Sequence, residues 1–227
     1  MIHFCLVTLG SKDLLTLALA SIDKYAGDCN VDIINNEPNY AKGSWAHGDA
    51  LDHWRRSQKL GIKDTDIVVI MDPDVVILSK WWREEVESAF RQPSVGIWGA
   101  GARDDFGPRV HASMMCIRGQ VFNDMDATFQ PVMQGDWRDT GGAYCRMASV
   151  TGWRVVPLER GKDWNGSSAW WKPEPSPYWN IPLWAHLGGG THSDPTRLTR
   201  WERIKHFREI SRRKHFVWAA QNHLRDA

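Results

Sequence analysis

Read from its amino end, the chain alternates short apolar runs with longer stretches whose apolar residues recur every three or four positions. IHFCLVTL (2–9) reads as a strand, SKDLLTLALASIDKYA (11–26) as a helix with Ser11 at its N-cap, and VDIIN (31–35) as a second strand. After the loop NEPNYAKGSW (36–45) come a helix near AHGDALDHWRRSQKLG (46–61), the strand DIVVIMD (66–72), the helix SKWWREEVESAFRQ (79–92) and the strand SVGIWGA (94–100). Regular strand–helix alternation predicts an α/β fold, an open and mainly parallel sheet with helices on both faces. Beyond residue 100 the order loosens. RVHASMMCIRG (109–119) reads as a strand that completes or extends the sheet, DTGGAYCRMASVTG (139–152) as a helix, and WRVVPLE (153–159) as a strand. Residues 161–182 read as a loop rich in Trp, Pro, Ser and Gly, and a long basic helix or helix pair ends the chain. One domain is expected over 1–227: a regular strand–helix half (1–100), an irregular half (101–192) and the basic segment (193–227).

The stretch DIVVIMDPDVVIL (66–78) carries the most chemistry. Its first part is almost wholly apolar, as in a strand buried on both faces, yet it runs into Asp72 and Asp74 with Pro73 between them. Asp-Pro-Asp fits a simple strand-ending turn. It also fits a cation site, because two like charges this close repel unless something positive lies between them. Two carboxylates suit Mg2+ or Mn2+. Thr8, Asn35, Asn36 and Asp72 all fall at carboxyl ends of expected strands, where open α/β sheets bind ligands. No Gly-x-Gly-x-x-Gly follows the first strand, so the dinucleotide fingerprint is absent.

This order of elements, with Asp-Pro-Asp closing a buried strand and an irregular half following, resembles the GT-A glycosyltransferases, family 2-like, over roughly residues 1–192. The resemblance implies a Rossmann-like GT-A fold and transfer of a hexosyl group, with inversion, from a nucleoside-diphosphate sugar such as a UDP-sugar. Asp72 would then contact the donor ribose or the metal, and Asp74 would ligate Mn2+ or Mg2+. It implies donor-binding roles for Thr8, Asn35 and Asn36, and, from GSWAHGDALD (43–52), for Gly43, His47 and Asp49. His186, ahead of three glycines in HLGGGTHS (186–193), matches a late histidine that completes the metal shell. The catalytic base falls on Asp139, with Asp136 as the alternative; Asp139 also fits a plain helix N-cap. Arg138-Asp139 stands where the family carries Glu-Asp. A nucleotidyltransferase and a catalytically silent sugar- or nucleotide-binding module are the competing readings.

Composition narrows the partners. No apolar run reaches the ~20 residues of a membrane span, and the four widely spaced cysteines read as buried thiols in a reducing, cytoplasmic setting. Fourteen tryptophans are an unusual number, and Trp170 and Trp171 in the Pro-rich loop are candidates to line an acceptor cleft. Residues 197–227 hold nine Lys or Arg against three acids, net +6, leaving −5 on the rest. That split points to an anionic acceptor met by Arg212, Arg213 and Lys214. DNA carrying a hydroxymethylated pyrimidine, a lipid-linked acceptor and a saccharide all remain open.

Overall fold

The computed structural model describes residues 1–8, 12–36, 43–58, 61–101, 109–131, 139–165, 167–170, 182–187 and 200–226. Strands β1 (Ile2–Thr8), β2 (Cys29–Asn35) and β3 (Ile67–Met71) alternate with helices α1 (Lys12–Tyr25) and α2 (Gly43–Gln58). Next come β4 (Val75–Ile77), α3 (Trp82–Phe90), β5 (Val95–Gly101), β6 (Val110–Arg118) and α4 (Gly119–Asp124). The described chain ends with α5 (Gly142–Val150), β7 (Arg154–Leu158), β8 (Ser168–Trp170), β9 (Trp184–His186) and α6 (Arg200–Asp226).

Six strands form the main sheet in the order β2-β1-β3-β6-β5-β7. Pairs β1/β2, β1/β3 and β5/β7 are parallel, whereas β6 runs antiparallel to both β3 and β5. Successive strand residues face opposite sides, and each side meets its own helices. Phe4, Leu6, Val69 and Met71 pack with Ile22, Trp82 and Val86 of α1 and α3. Cys5, Val7, Val68 and Ile70 pack with Leu51, Trp54, Phe122 and Tyr144 of α2, α4 and α5. Cover on both faces explains the unbroken apolar run of β3, whose five residues are all buried.

The region expected to be one long loop departs from expectation. Within 161–182 lies β8, which joins β4 and β9 in a second sheet of order β4-β9-β8. Val75 pairs with His186 and Ile77 with Trp184, while Trp170 pairs with Trp184 on the other side. VVIL after Asp74 therefore belongs to this small sheet and not to the main one. Residues 200–226 of the C-terminal segment form a single helix, α6, and it is no loose tail. Phe216 and Ala220 pack on Leu14 and Leu17 of α1 and on Val76, Ala185 and Leu187 around the small sheet. Ser11, the expected N-cap, lies outside the described residues.

The reversed direction of β6 shapes the functional edge. Five strands deliver their carboxyl ends there, and β6 delivers its amino end, Arg109 to His111, to the same edge. None of the described helices is long and apolar enough to cross a membrane.

Candidate metal centre

Asp72 continues the line of β3 by one residue, its N–H donating to the Ser113 carbonyl at 3.0 Å. The chain then turns, with the Val75 N–H donating to the Asp72 carbonyl at 3.1 Å, and starts β4. Asp-Pro-Asp is thus a turn, and it also holds two carboxylates at the strand edge. The β4–β9 pairing brings His186 against them from far along the chain, fastened by the Leu187 N–H donating to the Asp74 carbonyl at 3.0 Å.

His186 Nε2 stands 3.1 Å from Asp74 Oδ1 and 3.8 Å from Asp72 Oδ2, and one donor atom from each of the three residues lies within 4.8 Å of the others. All three side chains are mostly buried. Burial pushes the His186 imidazole down, but the Asp74 charge and hydrogen bond and the Asp72 charge outweigh it and raise the pKa to about 9, with the Arg212 charge opposing them. Without a cation, His186 carries the positive charge that the carboxylates require.

The residues fit a divalent cation. Ligands at ~2.1 Å in adjacent octahedral positions lie about 3 Å apart, which the His186–Asp74 separation matches. Carboxylate oxygen with imidazole nitrogen suits Mn2+ well, and Mg2+ less because of the imidazole. His47, from the first turns of α2, adds a buried Nε2 that lies 3.8 Å from Asp72 Oδ1 and makes no hydrogen bond among the described residues. A nitrogen left unmet beside the Asp72 carboxylate is what a bound cation or donor group would satisfy.

The other expected residues divide. Thr8 and Asn35 are register partners at the ends of β1 and β2, and the Asn36 N–H donates to the Thr8 carbonyl at 2.8 Å. Because β1 lies between β2 and β3, these residues share the edge with Asp72. Gly43 opens α2, which carries His47. Asp49 is turned away and accepts a hydrogen bond from Gln130. Trp170 stacks on Trp184 with ring centroids 5.7 Å apart and lies 6.4 Å from the His186 ring. The three helix cations differ in surroundings. Arg213 pairs with Asp13, the charge of Arg212 is felt at His186, and Lys214 is exposed. Asp136 and Trp171 lie outside the described residues.

Asp139 lies beside residues that sequence reasoning passed over. His111 donates from Nε2 to Asp139 Oδ2 at 2.8 Å, and its Nδ1 accepts from the Ser113 N–H at 3.0 Å. Arg109, only 5% exposed, reaches the same carboxylate oxygen at 3.4 Å. Oδ1 accepts from the adjacent Thr140 N–H at 2.8 Å. Burial pushes the Asp139 carboxyl up, but the His111 hydrogen bond and charge, the Thr140 N–H and the Arg109 charge outweigh it and hold it at about 2. Asp139 does not cap α5. That position belongs to Gly141, whose φ of +83° favours glycine and whose added Cβ would meet Met115 Cε at 2.7 Å. The His111 and His186 rings lie 6.1 Å apart, so the Asp139 group adjoins the metal cluster.

No protein-family model and no curated protein matches the sequence. Among solved structures, the chain is similar to the mannosyltransferase PcManGT from Pyrobaculum calidifontis, determined in complex with GDP-Man and Mn2+. Identity is 15% and the TM-score 0.50, with 69% of this chain and 54% of that chain covered. The chain thus spans little more than half the length of that enzyme. The fold is glycosyltransferase-like. A197 from STIV is also similar, at 14% identity and a TM-score of 0.38, covering 65% of this chain and 76% of that one.

Proposed function

We propose that this protein is a metal-dependent glycosyltransferase that moves a hexosyl group from a nucleoside-diphosphate sugar to a hydroxyl acceptor. The observation that carries the reading is the convergence of Asp72, Asp74 and His186 at the carboxyl edge of the sheet. The GDP-Man and Mn2+ bound by the mannosyltransferase of similar fold support it.

In this reading Asp72, Asp74 and His186 hold Mn2+ or Mg2+, which when bound would act as a Lewis acid toward the departing diphosphate. Thr8, Asn35, Asn36, Gly43 and His47 line the donor side. The acceptor oxygen attacks the anomeric carbon directly, on the face opposite the diphosphate, which inverts that carbon, while Asp139 receives the acceptor proton. Its three donors keep it ionised at working pH, and they also make it a weaker base than a free carboxylate. That weakness is tolerable because the acceptor hydroxyl becomes strongly acidic as its oxygen bonds to the anomeric carbon.

A thermal-shift screen of nucleotide sugars, with and without Mn2+, tests the proposal. Ligands that bind the native state raise the melting temperature. The expected result is a Mn2+-dependent rise with at least one UDP- or GDP-sugar. Stabilisation by none of them would end the reading.

A further inference from the structure

Next to the metal cluster, on the β5–β7 side, the fold leaves a pocket of about 180 Å³. Its walls follow from the strand directions. β5 and β7 bring Gly101 and Arg160 to the edge, the reversed β6 brings His111 and Ser113, and β8 brings Ser168 and Trp170. His186 completes the wall, so one residue borders both the metal set and the pocket.

Two buried polar atoms belong to these lining residues. Ser113 is 0% exposed, and its hydroxyl has no hydrogen-bond partner among the described residues. The indole N–H of Trp170, a residue 5% exposed, has none either. Buried polar groups are ordinarily satisfied, so a pair lining one pocket points to a ligand that both donates and accepts. The volume is below the roughly 300–1,000 Å³ of drug-sized sites, so it suits one ring.

We infer that this pocket is the acceptor site and that the acceptor is a saccharide, one ring of which is held by Ser113 and Trp170 with a hydroxyl presented to the donor. The inference rests on the glycosyl-transfer reading and names its second substrate. The acceptor oxygen bonds to the anomeric carbon. The bond from that carbon to the diphosphate oxygen breaks, with its electron pair leaving on the diphosphate, and the hydroxyl proton passes to Asp139. A saccharide is favoured over a flipped nucleobase because most of the described lining side chains are hydrogen-bonding groups, suited to a ring that carries several hydroxyls, whereas a base is held chiefly by stacking. Among the described lining residues only Trp170 is an indole, and the rest are Ser, Gly, His and Arg.

The test follows radiolabel from UDP-glucose and GDP-mannose, with Mn2+, into two acceptor sets. One set is the methyl glycosides of glucose, galactose, mannose and N-acetylglucosamine; the other is an oligonucleotide containing 5-hydroxymethylcytosine. Wild type is expected to label at least one glycoside and not the oligonucleotide. Ser113→Val, which replaces the hydroxyl by methyl groups, and Trp170→Phe, which removes the N–H with the five-membered ring of the indole and keeps one aromatic ring, are each expected to raise the acceptor KM at least tenfold. The melting-temperature rise given by nucleoside diphosphate with Mn2+ should persist in both, which also reports that they fold. Label in the oligonucleotide, label in no glycoside despite donor binding, or an unchanged glycoside KM in Trp170→Phe overturns the inference alone. Failure of wild type to bind any nucleotide sugar removes the glycosyl-transfer reading beneath it, and the inference with it.

Discussion

Metal-free protein should lose stability as pH rises from neutrality, and His186 should be the cause. The folded pKa of about 9 lies above the ordinary value of 6.5, because Asp74 and Asp72 favour the imidazolium. A raised folded pKa contributes stability that is complete below 6.5 and is lost as pH climbs through 9. The difference of about 2.5 units corresponds to ~3 kcal/mol. For a chain of this size that is roughly 6–12 °C in melting temperature. Urea unfolding at pH 6 and pH 9.5, in chelator, for wild type and His186→Gln measures it. The comparison is needed because burial also raises the pKa of Cys5, Cys116 and Cys145, which destabilises both proteins alike in alkali. Wild type should lose about 3 kcal/mol more than the variant, and saturating Mn2+ should erase that excess by displacing the proton. Equal losses in the two proteins would refute the reasoning.

Asp139→Asn should leave donor affinity intact and lower the transfer rate by ~10²-fold or more, measured by steady-state kinetics at saturating donor; an unchanged rate would remove Asp139 as proton acceptor. Arg212→Glu should weaken nucleoside-diphosphate binding several-fold in calorimetry, because its charge is felt at His186, whereas Lys214→Glu should not. Phe216 is fully buried between α1 and the small sheet, so Phe216→Ala should cost about 3–5 kcal/mol in denaturant unfolding. A loss under 1 kcal/mol would mean that α6 is not anchored there.

What the sequence disclosed follows from the range of its signals. The buried run of β3 and the helices flanking it were legible because periodicity extends over enough residues to be read. Asp72 and Asp74 stood out as charges interrupting that run, and His186 as a histidine ahead of three glycines. The second sheet was not legible, because β4, β8 and β9 have three residues each, too few for alternation to show. Arg109, His111 and Ser113 were missed for a different reason. Their position depends on β6 running antiparallel, and a strand's pattern does not reveal its direction. Had that direction been known, the pairing of Met71 with Met114 would place Ser113 beside Asp72 and His111 near Asp74. The basic tail looked uniform as a count of charges, yet neighbouring arginines on α6 have different surroundings: Asp13 for Arg213 and the His186 edge for Arg212.

The central claim is that Asp72, Asp74 and His186 bind a divalent cation together with a diphosphate. Mn2+ titration followed by electron paramagnetic resonance tests it most directly, because the signal of free aqueous Mn2+ falls as the ion is bound. With GDP or UDP present, wild type should take up one Mn2+ per chain, and folded Asp74→Asn should leave the free-ion signal close to that of a protein-free control with the same nucleotide. Equal Mn2+ uptake by wild type and Asp74→Asn would contradict the account.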